Sequence, residues 1–516
     1  MKRLALLLIA VCLLLTGCGG GGGQATDTFI NALDADIVNL LPVKLTNVVS
    51  NIVSTQIHEP LVKYEDTYDE LQPKLATEWS MDPSGLSWTF KLRTDVQWHD
   101  GEPFTSEDVK FTYETLLDPA TKSVRRANYQ VIERIETPDP HTVVFHLSEP
   151  HGPFLDKMSQ IPIMAKHHVS KVGLDDYNNQ AIGTGPFMMV EWIPDDHVTL
   201  KANPNYWGGK PAIETLIFKP IPEASVRAMA LEKGEVHFAS SLTAEDYEKV
   251  MANGNIQGFE VDSLAFAYFG HNNRNPLFAD KRVRQALAYA IDNESIVKDV
   301  RKGAATIATG PIAPSNSTWH NPDVKQYPYE PEKAKELLSQ AGWEPNSDGI
   351  LTKDGQTFSF SVVLATGDEV LRNQAILIQK WLKDVGIELQ LEFLDWSVLN
   401  DRLDNREYEA MMLSMTPSPD PEQYNYWHST AIDNGFNDWC YSNVQVDKLL
   451  EAGRRETDPA QRKAIYDEIQ AILAEDVAAV FLYHPKVLGG LNKNFTGMTE
   501  GPAGQAPLLY KVQPAE

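Results

Sequence analysis

Residues 58–62 (HEPLV) begin like the helix of a zinc protease, in which a second histidine follows the first after three residues. That motif needs both histidines to hold the metal and the glutamate to act as general base. In this chain Val62 occupies the place of the second histidine, and Pro60 lies inside the motif. The sequence therefore predicts no zinc site here, and we expect neither a metal nor another cofactor.

Other signatures of catalysis are equally incomplete. Residues 183–187 (GTGPF) lack the third glycine of a dinucleotide-binding turn, and residues 208–210 (GGK) lack the upstream glycine of a phosphate-binding loop. No Gly-x-Ser-x-Gly nucleophile elbow is present in the sequence. Some of the 71 acidic residues will lie close together by chance, and a glycosidase pair requires a specific separation. The pattern favours a binding role over an enzymatic one.

The negative net charge of the chain argues against some classes of binding partner. The chain has 516 residues and a formal net charge of −26. Nothing in such a chain would neutralise the phosphates of a nucleic acid, so we expect no nucleic-acid partner. The same charge argues against electrostatic docking of the folded body on an anionic membrane. The length suggests two to four packing units, on the basis of about 100–200 residues per domain.

The N-terminus indicates export. Lys2 and Arg3 precede twelve apolar residues, 4–15, which are too few for a stable membrane span and typical of a secretory signal. Residues 15–18 (LTGC) resemble the lipobox of bacterial lipoproteins, in which the signal peptidase cuts before a cysteine whose thiol carries diacylglycerol. We therefore expect a signal peptide at 1–17 and lipidation of Cys18. The alternative is an ordinary secretory signal with a chance cysteine.

A run of glycines follows the predicted anchor. Residues 18–26 combine Cys18 with this run and are expected to act as a flexible tether. Removal of the signal, with its two basic residues, would change the formal charge from −26 to −28. Cys440 would then be the single cysteine of the folded body, so no intramolecular disulfide is expected. We interpret Cys440 as a small buried apolar residue.

The rest of the chain mixes strands with amphipathic helices. Alternation of apolar and polar residues predicts strands at 87–93, 142–147 and 388–393. Capping residues, helix-opening prolines and closing glycines predict helices at 105–117, 282–291, 331–341, 371–385 and 459–474. This mixture is typical of α/β layers in more than one lobe.

Several longer motifs occur in a fixed order along the chain. They are HEPLV (58–62), LQPKLATEW (71–79), WTFKLR (88–93), WHDGEPFTSEDV (98–109), GTGPF (183–187), NPNYW (203–207), PLFADKRVRQA (276–286), YEPEKA (329–334) and DP (420–421). Together they resemble the family 5 extracytoplasmic solute-binding proteins of ABC importers, the oligopeptide, dipeptide and nickel group. Each motif is weak alone, but their common order and spacing are specific.

The resemblance implies an α/β fold of the periplasmic-binding-protein (Venus flytrap) type, with two lobes and an extra subdomain in the first. Lobe I would comprise residues 27–61, 187–271 and 485–516, and the extra subdomain residues 62–186. Lobe II would comprise residues 272–484. The chain would cross between the lobes near 271–273 and 483–485.

The resemblance also implies a function. The protein would capture di- or oligopeptides in the cleft between the lobes by hinge closure, without chemistry, and deliver them to the permease and ATPase of an importer. We expect a monomer outside the cytoplasm, anchored through Cys18 to the outer face of the cytoplasmic membrane, or in a periplasmic space if an outer membrane exists.

Polar and aromatic residues near the expected cleft are the candidate ligand contacts. They are Ser54, Thr55, Gln56, Asn273, Trp396, Asp420, Tyr424, Tyr426 and Trp427. In many peptide-binding members an aspartate three residues before the Asp-Pro pair binds the ligand's ammonium group, but Pro417 stands at that position here. Either Asp420 or another carboxylate takes its place, or the ligand has no free amino terminus.

Several alternatives stay open from the sequence alone. The same fold could hold a nickel chelate, haem, an oligosaccharide or an opine-like compound. A peptide-pheromone receptor would use the same cleft for signalling. A secreted lipoprotein hydrolase that uses buried carboxylates is the alternative from another functional class.

Overall fold

Two β-sheets that share one long strand organise the chain. The structure is a computed structural model that describes residues 27–65, 68, 70–498 and 509–515. The predicted signal peptide, Cys18 and the glycine tether lie outside the described residues. In the part of the chain that the structure describes, no helix combines the length and apolar character needed to cross a bilayer.

The first half of the chain supplies one lobe and an inserted unit. Its elements are β1 (Thr28–Leu33), α1 (Val48–Ile57), β2 (Val62–Lys63), β3 (Gln72–Pro73), β4 (Ala76–Met81), β5 (Ser87–Leu92), α2 (Ser106–Leu117), β6 (Ile132–Asp139), β7 (Thr142–Leu147), α3 (Phe154–Ser159), α4 (Lys166–Val172), β8 (Phe187–Ile193), β9 (His197–Ala202), β10 (Thr215–Pro220), α5 (Ala224–Lys233), β11 (Phe238–Ala239), α6 (Ala244–Met251) and β12 (Ile256–Asp262).

The second half supplies the other lobe and returns to the first. Its elements are β13 (Phe266–His271), α7 (Lys281–Ala290), α8 (Asn293–Ser295), β14 (Ala305–Ile307), α9 (Pro331–Gln340), β15 (Glu344–Pro345), β16 (Leu351–Lys353), β17 (Gln356–Thr357), β18 (Ser359–Ala365), α10 (Glu369–Asp384), β19 (Glu388–Leu394), α11 (Trp396–Asp404), β20 (Ala410–Met415), α12 (Tyr424–Trp427), α13 (Ala431–Asn434), α14 (Val444–Arg455), α15 (Pro459–Asp476), β21 (Val480–Asn492), β22 (Phe495–Thr496) and β23 (Gln513–Pro514).

Lobe I is built on a mixed sheet. Its strand order is β8-β9-β10-β1-β11-β21-β12, with β1 parallel to both β10 and β11. The inserted subdomain carries a four-stranded antiparallel sheet in the order β4-β5-β7-β6. Apolar side chains of both units form one continuous core, from Phe29 in β1 to Phe90 and Phe145 in the insertion. The subdomain is therefore packed onto lobe I as part of the same body.

Lobe II is a three-layer structure. Its sheet has the order β19-β18-β20-β13-β21, with β14 added beside β21, and both of its faces are covered. Successive side chains of a strand point to opposite faces. Phe269 accordingly packs under α7 and α10, whereas Phe266 and Tyr268 pack under α14 and α15. Such double coverage explains why β13 is buried along its whole length.

The two lobes are connected by two neighbouring segments. Strand β21 pairs with β13 and β14 up to Pro485, and with β12 from Lys486 onward. The second connection is the short segment 263–265 between β12 and β13. It is fastened to β21 by a hydrogen bond from the Ser263 amide to the Pro485 carbonyl at 3.2 Å, and by one between His484 Nδ1 and the Ala265 carbonyl at 2.9 Å. These paired crossings form the candidate hinge.

The first crossing differs from the sequence prediction. We expected lobe I to continue to residue 271 and lobe II to begin at 272. Strand β13 instead pairs with β20 and with the lobe II part of β21, so lobe II begins at Phe266. The prediction was displaced because β13 (FAYFGH) is buried along its whole length and shows no alternation of apolar and polar residues that would mark its start as a lobe boundary.

The predicted elements are observed with small shifts at their ends. The capping box of Thr105 and Asp108 opens α2, and the Asp280 and Asp458 side chains accept hydrogen bonds at the N-termini of α7 and α15. Gly386 follows α10 in the left-handed region, with φ +88°, as expected for a helix stop. Cys440 is free and buried, as predicted.

Candidate functional site

A cavity of about 540 Å³ lies between the lobes. One wall comes from lobe I and its subdomain, and the other from the segment that follows β20 in lobe II. The lobe I wall includes Thr46, Val48, Asn51, Thr55, Arg125 and Asp156, and the lobe II wall includes Thr416, Pro417, Ser418, Glu422, Asn425 and Tyr426. A ligand in this cavity would contact both lobes.

Two further cavities help to define the site. One of about 270 Å³ adjoins the first and shares Asn128, Lys157 and Glu422 with it. Another of about 230 Å³ lies entirely within lobe II, between the end of α15, β14 and residues 325–329. Because a single lobe lines this last cavity, movement of the lobes would not open or close it. The interlobe cavity is therefore the candidate site.

Helix α1 provides the lobe I wall. The Asn47 side chain accepts a hydrogen bond from the Ser50 amide at 2.7 Å and so caps the helix. Val53 and Ile57 on one face of α1 are fully buried in the lobe I core. The opposite face, with Asn51 and Thr55, borders the cavity. Amphipathic packing thus fixes which side chains a ligand would meet.

The lobe II wall is a proline-rich segment. Residues 416–422 (TPSPDPE) contain three prolines, which restrict the backbone and lack an N–H group. The Asn316 side chain donates to the Pro419 carbonyl at 2.7 Å and fastens the segment to its own lobe. The carboxylate of Asp420 binds both terminal nitrogens of Arg462, at 2.5 and 2.6 Å. The segment is therefore held rigid beside the cavity.

The walls already touch through polar side chains. The Ser418 hydroxyl donates to Asp156 Oδ2 at 2.8 Å, and the Gln160 amide donates to the same oxygen at 2.7 Å. The Asn425 amide donates to Asn128 Oδ1 at 3.2 Å. The contacts of Ser418 with Asp156 and of Asn425 with Asn128 join the subdomain to lobe II. The structure therefore represents an arrangement in which the lobes have closed on each other.

Charged groups are buried at this interface. Burial raises the pKa of Asp156 to about 6, and the nearby Asp420 carboxylate acts in the same direction. Burial also acts to raise the pKa of Glu422, but the positive charges of Lys157 and Arg454 outweigh it and hold that pKa below its ordinary value. The Glu422 carboxylate lies 3.9 Å from Lys157 and 2.9 Å from Arg454.

The structure brings two of the predicted contact residues to the cavity, Thr55 and Tyr426. Ser54 is fully buried, with its hydroxyl 3.0 Å from His58 Nδ1. Gln56 borders a small polar cavity of about 20 Å³ behind α1. The remaining predicted contacts belong to lobe II and lie elsewhere.

Asn273 and Asp420 serve the architecture of lobe II in this structure. The Asn273 amide donates to the carbonyls of Trp439 and Ala478, at 3.0 and 3.2 Å. Asp420 is 7% exposed and its two oxygens are occupied by Arg462, so it is not placed to bind an ammonium group. The sequence predicted that both side chains contact the ligand. In the structure the Asn273 amide is bound to backbone carbonyls and the Asp420 carboxylate is bound to the buried Arg462, so neither is available to a ligand.

The four aromatic residues that were predicted to contact the ligand lie in different environments. Trp427 is fully buried and stacks on Trp439 with ring centroids 4.2 Å apart, so it belongs to the lobe II core. Tyr424 stacks on His428 at 4.0 Å and has the Arg454 guanidinium over its ring. Trp396 is 59% exposed at the start of α11, outside the interlobe cavity. Tyr426 is the aromatic candidate that lines this cavity.

Sequence reasoning missed the charged residues of the walls, above all Arg125, Asp156, Lys157 and Glu422. Asp156 and Lys157 lie on the short helix α3, next to the buried Phe154 and Met158. Glu422 follows the Asp-Pro turn and could have been found from that position. No local pattern distinguishes the other three from surface charges, because their partners lie far away in the sequence or in the opposite lobe, as with Leu45 for Arg125 and Ser418 for Asp156.

Within the described residues, no three His, Cys, Asp or Glu side chains are grouped in a way that could hold a metal ion. His58, which is buried behind α1, shares hydrogen bonds with Ser54 and with the Tyr177 hydroxyl, at 3.0 and 2.7 Å. Burial lowers the pKa of His58 to about 3.

Known proteins share this architecture. The oligopeptide-binding protein AppA of Bacillus subtilis is 33% identical over 476 residues, which cover 89% of this chain and 87% of AppA. The solved structure of AppA in complex with a nonapeptide superposes with a TM-score of 0.82 at 30% identity, over 95% of this chain and 99% of that one.

Two further solved structures are similar. NikZ of Campylobacter jejuni in complex with Ni(L-His) has a TM-score of 0.84 at 27% identity and covers 95% of this chain and 99% of its own. DppA of Helicobacter pylori in complex with the peptide STSA has a TM-score of 0.81 at 26% identity, over 95% of this chain and 98% of its own.

A family model also matches the sequence itself. Residues 70–436 match that of the bacterial extracellular solute-binding proteins, family 5. This stretch includes the subdomain, the first crossing and the proline-rich segment of the candidate site. Together with the similarity to AppA along most of its length, the match shows that the chain belongs to the family 5 bacterial extracellular solute-binding proteins.

Proposed function

We propose that the protein is the peptide-binding component of an ABC importer and that it encloses its ligand in the interlobe cavity. The observation that carries this proposal is a cavity of about 540 Å³ whose walls belong to different lobes. That volume lies within the range of about 300–1,000 Å³ typical of small-ligand sites. AppA, the relative described above, was solved with a nonapeptide, and H. pylori DppA with the peptide STSA.

The mechanism follows from the hinge. A ligand that contacts both walls binds the closed arrangement better than the open one and shifts the population toward it. The two crossings at 263–265 and 484–486 lie side by side, so a small change in their backbone angles rotates one lobe against the other. No bond of the ligand is broken in this process. The closed form is then the state offered to the permease and its ATPase.

A loop of the subdomain contributes to closure. The Gly152 amide donates to the Arg454 carbonyl at 2.8 Å, and the Arg455 guanidinium donates to Glu149 at 2.9 Å. Gly152 lies so close to lobe II that an added Cβ would come within 2.3 Å of the Glu456 carbonyl oxygen. The closed arrangement therefore requires glycine at this position.

The membrane attachment rests on the sequence. We propose that Cys18 is lipidated, with residues 18–26 as the tether, and that the folded body remains outside the cytoplasm. A tether raises the effective concentration of the loaded protein at its permease. The acidic folded body would not bind an anionic membrane by charge alone.

Peptides should be recovered from the purified protein. Gentle purification, denaturation and mass spectrometry of the released material are expected to yield short peptides. A matching peptide at 100 times its Kd should raise the free energy of unfolding by about 2.7 kcal/mol. A thermal shift with a nickel–histidine chelate or an oligosaccharide, without any shift from a peptide panel, would contradict the peptide assignment.

Tyr426→Ala should weaken peptide binding by about tenfold, because an aromatic contact and its buried area are lost. Trp396→Ala is the matched control, since Trp396 lies outside the cavity, and it should leave affinity unchanged. Isothermal titration calorimetry with a recovered peptide measures both. Equal losses in the two variants would argue against the cavity as the binding site.

Gly152→Ala should hinder closure without unfolding either lobe, because its clash arises where lobe II meets the subdomain. Peptide affinity should fall, and the decrease in radius of gyration that a peptide causes in the unmodified protein should become smaller in X-ray scattering. Gly254→Ala is the control, since a Cβ there meets nothing within 4 Å. Unchanged affinity and compaction in Gly152→Ala would show that the loop contact is dispensable.

Cys18→Ala should release the protein from the membrane, because the thiol that would carry the lipid is absent. Fractionation of cells followed by immunoblotting measures the distribution. Cys440→Ala, at the buried cysteine, should remain with the membrane. Retention of Cys18→Ala in the membrane fraction would refute the anchor.

A further inference from the structure

One carboxylate that lines the interlobe cavity has a buried oxygen atom without a hydrogen-bond donor in the described chain. Asp156 is 4% exposed and lines the cavity. Its Oδ2 accepts hydrogen bonds from Ser418 and Gln160, at 2.8 and 2.7 Å. Its Oδ1 is buried and has no partner in hydrogen-bond geometry among the described residues, while the Tyr64 hydroxyl is a further polar neighbour of the carboxyl group. A buried carboxylate oxygen in that state is costly unless something else satisfies it.

The neighbouring cations are engaged elsewhere. Lys157, the next residue on α3, lies 3.9 Å from Glu422, and it forms no ion pair with Asp156 in the described part of the chain. Arg462 binds Asp420 with both terminal nitrogens. Arg125 donates to the backbone carbonyls of Leu45 and Gln160. The positive charge of Lys157 still acts on Asp156 and lowers its pKa, but no cation of the described residues forms an ion pair with the carboxylate, which can therefore bind a cationic group that enters the cavity.

We propose that Asp156 is the residue that binds a positively charged nitrogen of the ligand, either a free amino terminus or a basic side chain. This inference rests on the proposed function and deepens it, because it selects cationic over neutral peptides. A primary ammonium group offers three donors, one of which satisfies Oδ1. Such charge-assisted hydrogen bonds are stronger than neutral ones.

The position of Asp156 suits this role. Its partner Ser418 belongs to lobe II, whereas Asp156 belongs to the subdomain of lobe I. A nitrogen bound to Oδ1 would therefore lie where both walls meet. Pro417, next to Ser418, offers no charge of its own, so the carboxylate of the opposite wall takes up the ligand's charge.

The protonation of Asp156 supports the proposal and supplies a readout. Burial raises the pKa of Asp156 to about 6, and Asp420 acts in the same direction. A bound cation favours the ionised form, so ligand binding below about pH 6 releases a proton and becomes weaker as the pH falls. The titratable and charged groups around Asp156 include Lys63, Tyr64, Tyr129, Lys157, Asp420, Glu422 and Arg462.

The test compares capture of free and acetylated peptides. The full-length protein, first stripped of bound material, is incubated with a tryptic casein digest or with the same digest after complete acetylation of its amines. Retained peptides are counted by mass spectrometry. We expect the unmodified protein to retain free peptides at least about tenfold better than acetylated ones. Asp156→Asn should retain both digests about equally.

Two controls separate charge from structure. Asp348→Asn makes the same change of charge at an exposed position of lobe II outside the cavity, and it should keep the preference for free peptides. The preference of the unmodified protein should also decline between pH 7.5 and pH 5, a measurement that needs no variant. The thermal transition of Asp156→Asn reports whether that variant is folded.

The outcomes distinguish the two proposals. Retention of neither digest by the unmodified protein would contradict peptide binding itself. Retention of both digests equally, or a preference that persists in folded Asp156→Asn, would overturn the role of Asp156 and leave peptide binding intact. The sequences retained from a digest acetylated at its α-amines alone show whether the cation is the amino terminus or a lysine side chain.

Discussion

Closure of the two lobes places charged side chains in an interface from which water is largely excluded. Removing a charge from water is expensive unless an opposite charge or several hydrogen bonds replace the solvent. The charge of Asp420 is compensated within lobe II, because Arg462 of the same lobe binds its carboxylate. Glu422 uses Arg454 of its own lobe and Lys157 of the other. The closed arrangement depends on how completely these charges are compensated.

The scaffold restricts how that closure occurs. One strand, β21, belongs to both sheets, and the only other crossing in the described chain is fastened to it at 263–265. Each lobe has an apolar core of its own, so rotation at the crossings leaves packing inside the lobes intact. The crossings are joined to each other by the hydrogen bonds between Ser263 and Pro485 and between His484 and Ala265, so we expect bending to be concentrated there. The lobes therefore move as bodies while the walls of the cavity keep their shape.

The sequence predicted the parts of this structure that local chemistry specifies. The capping aspartates of α7 and α15 and the glycine after α10 act within a few residues of the chain, so their positions could be read directly. The two-lobed fold was predicted from the ordered motifs, through their resemblance to the family. The crossing at 263–265 was predicted too far along the chain. Strand β13 is buried on both faces, and a strand of that kind can belong to the core of either lobe, so its sequence does not show to which lobe it belongs.

The site was harder to predict, since its residues acquire their role from the opposite wall. Trp427 and Tyr426 are neighbours in a short helix, yet one stacks on Trp439 in the core and the other borders the cavity. Nothing in the local sequence separates two adjacent aromatic residues after the same turn. Asp156 is the converse case, because it resembles a surface charge until Ser418 of the opposite wall covers it.

Distribution of the polar groups over both walls has a mechanical consequence. If the carboxylate that meets the ligand's charge and the groups that surround it all belonged to one lobe, a cation could bind fully to that lobe in the open state and would gain little from closure. Asp156 belongs to lobe I, while its hydrogen-bond partner Ser418 belongs to lobe II. The carboxylate is then fully surrounded only when the lobes meet, and the low dielectric that strengthens its attraction for a cation arises at the same moment. Binding energy at Asp156 therefore favours the closed state over the open one, which is the differential affinity that a hinge-closing receptor requires.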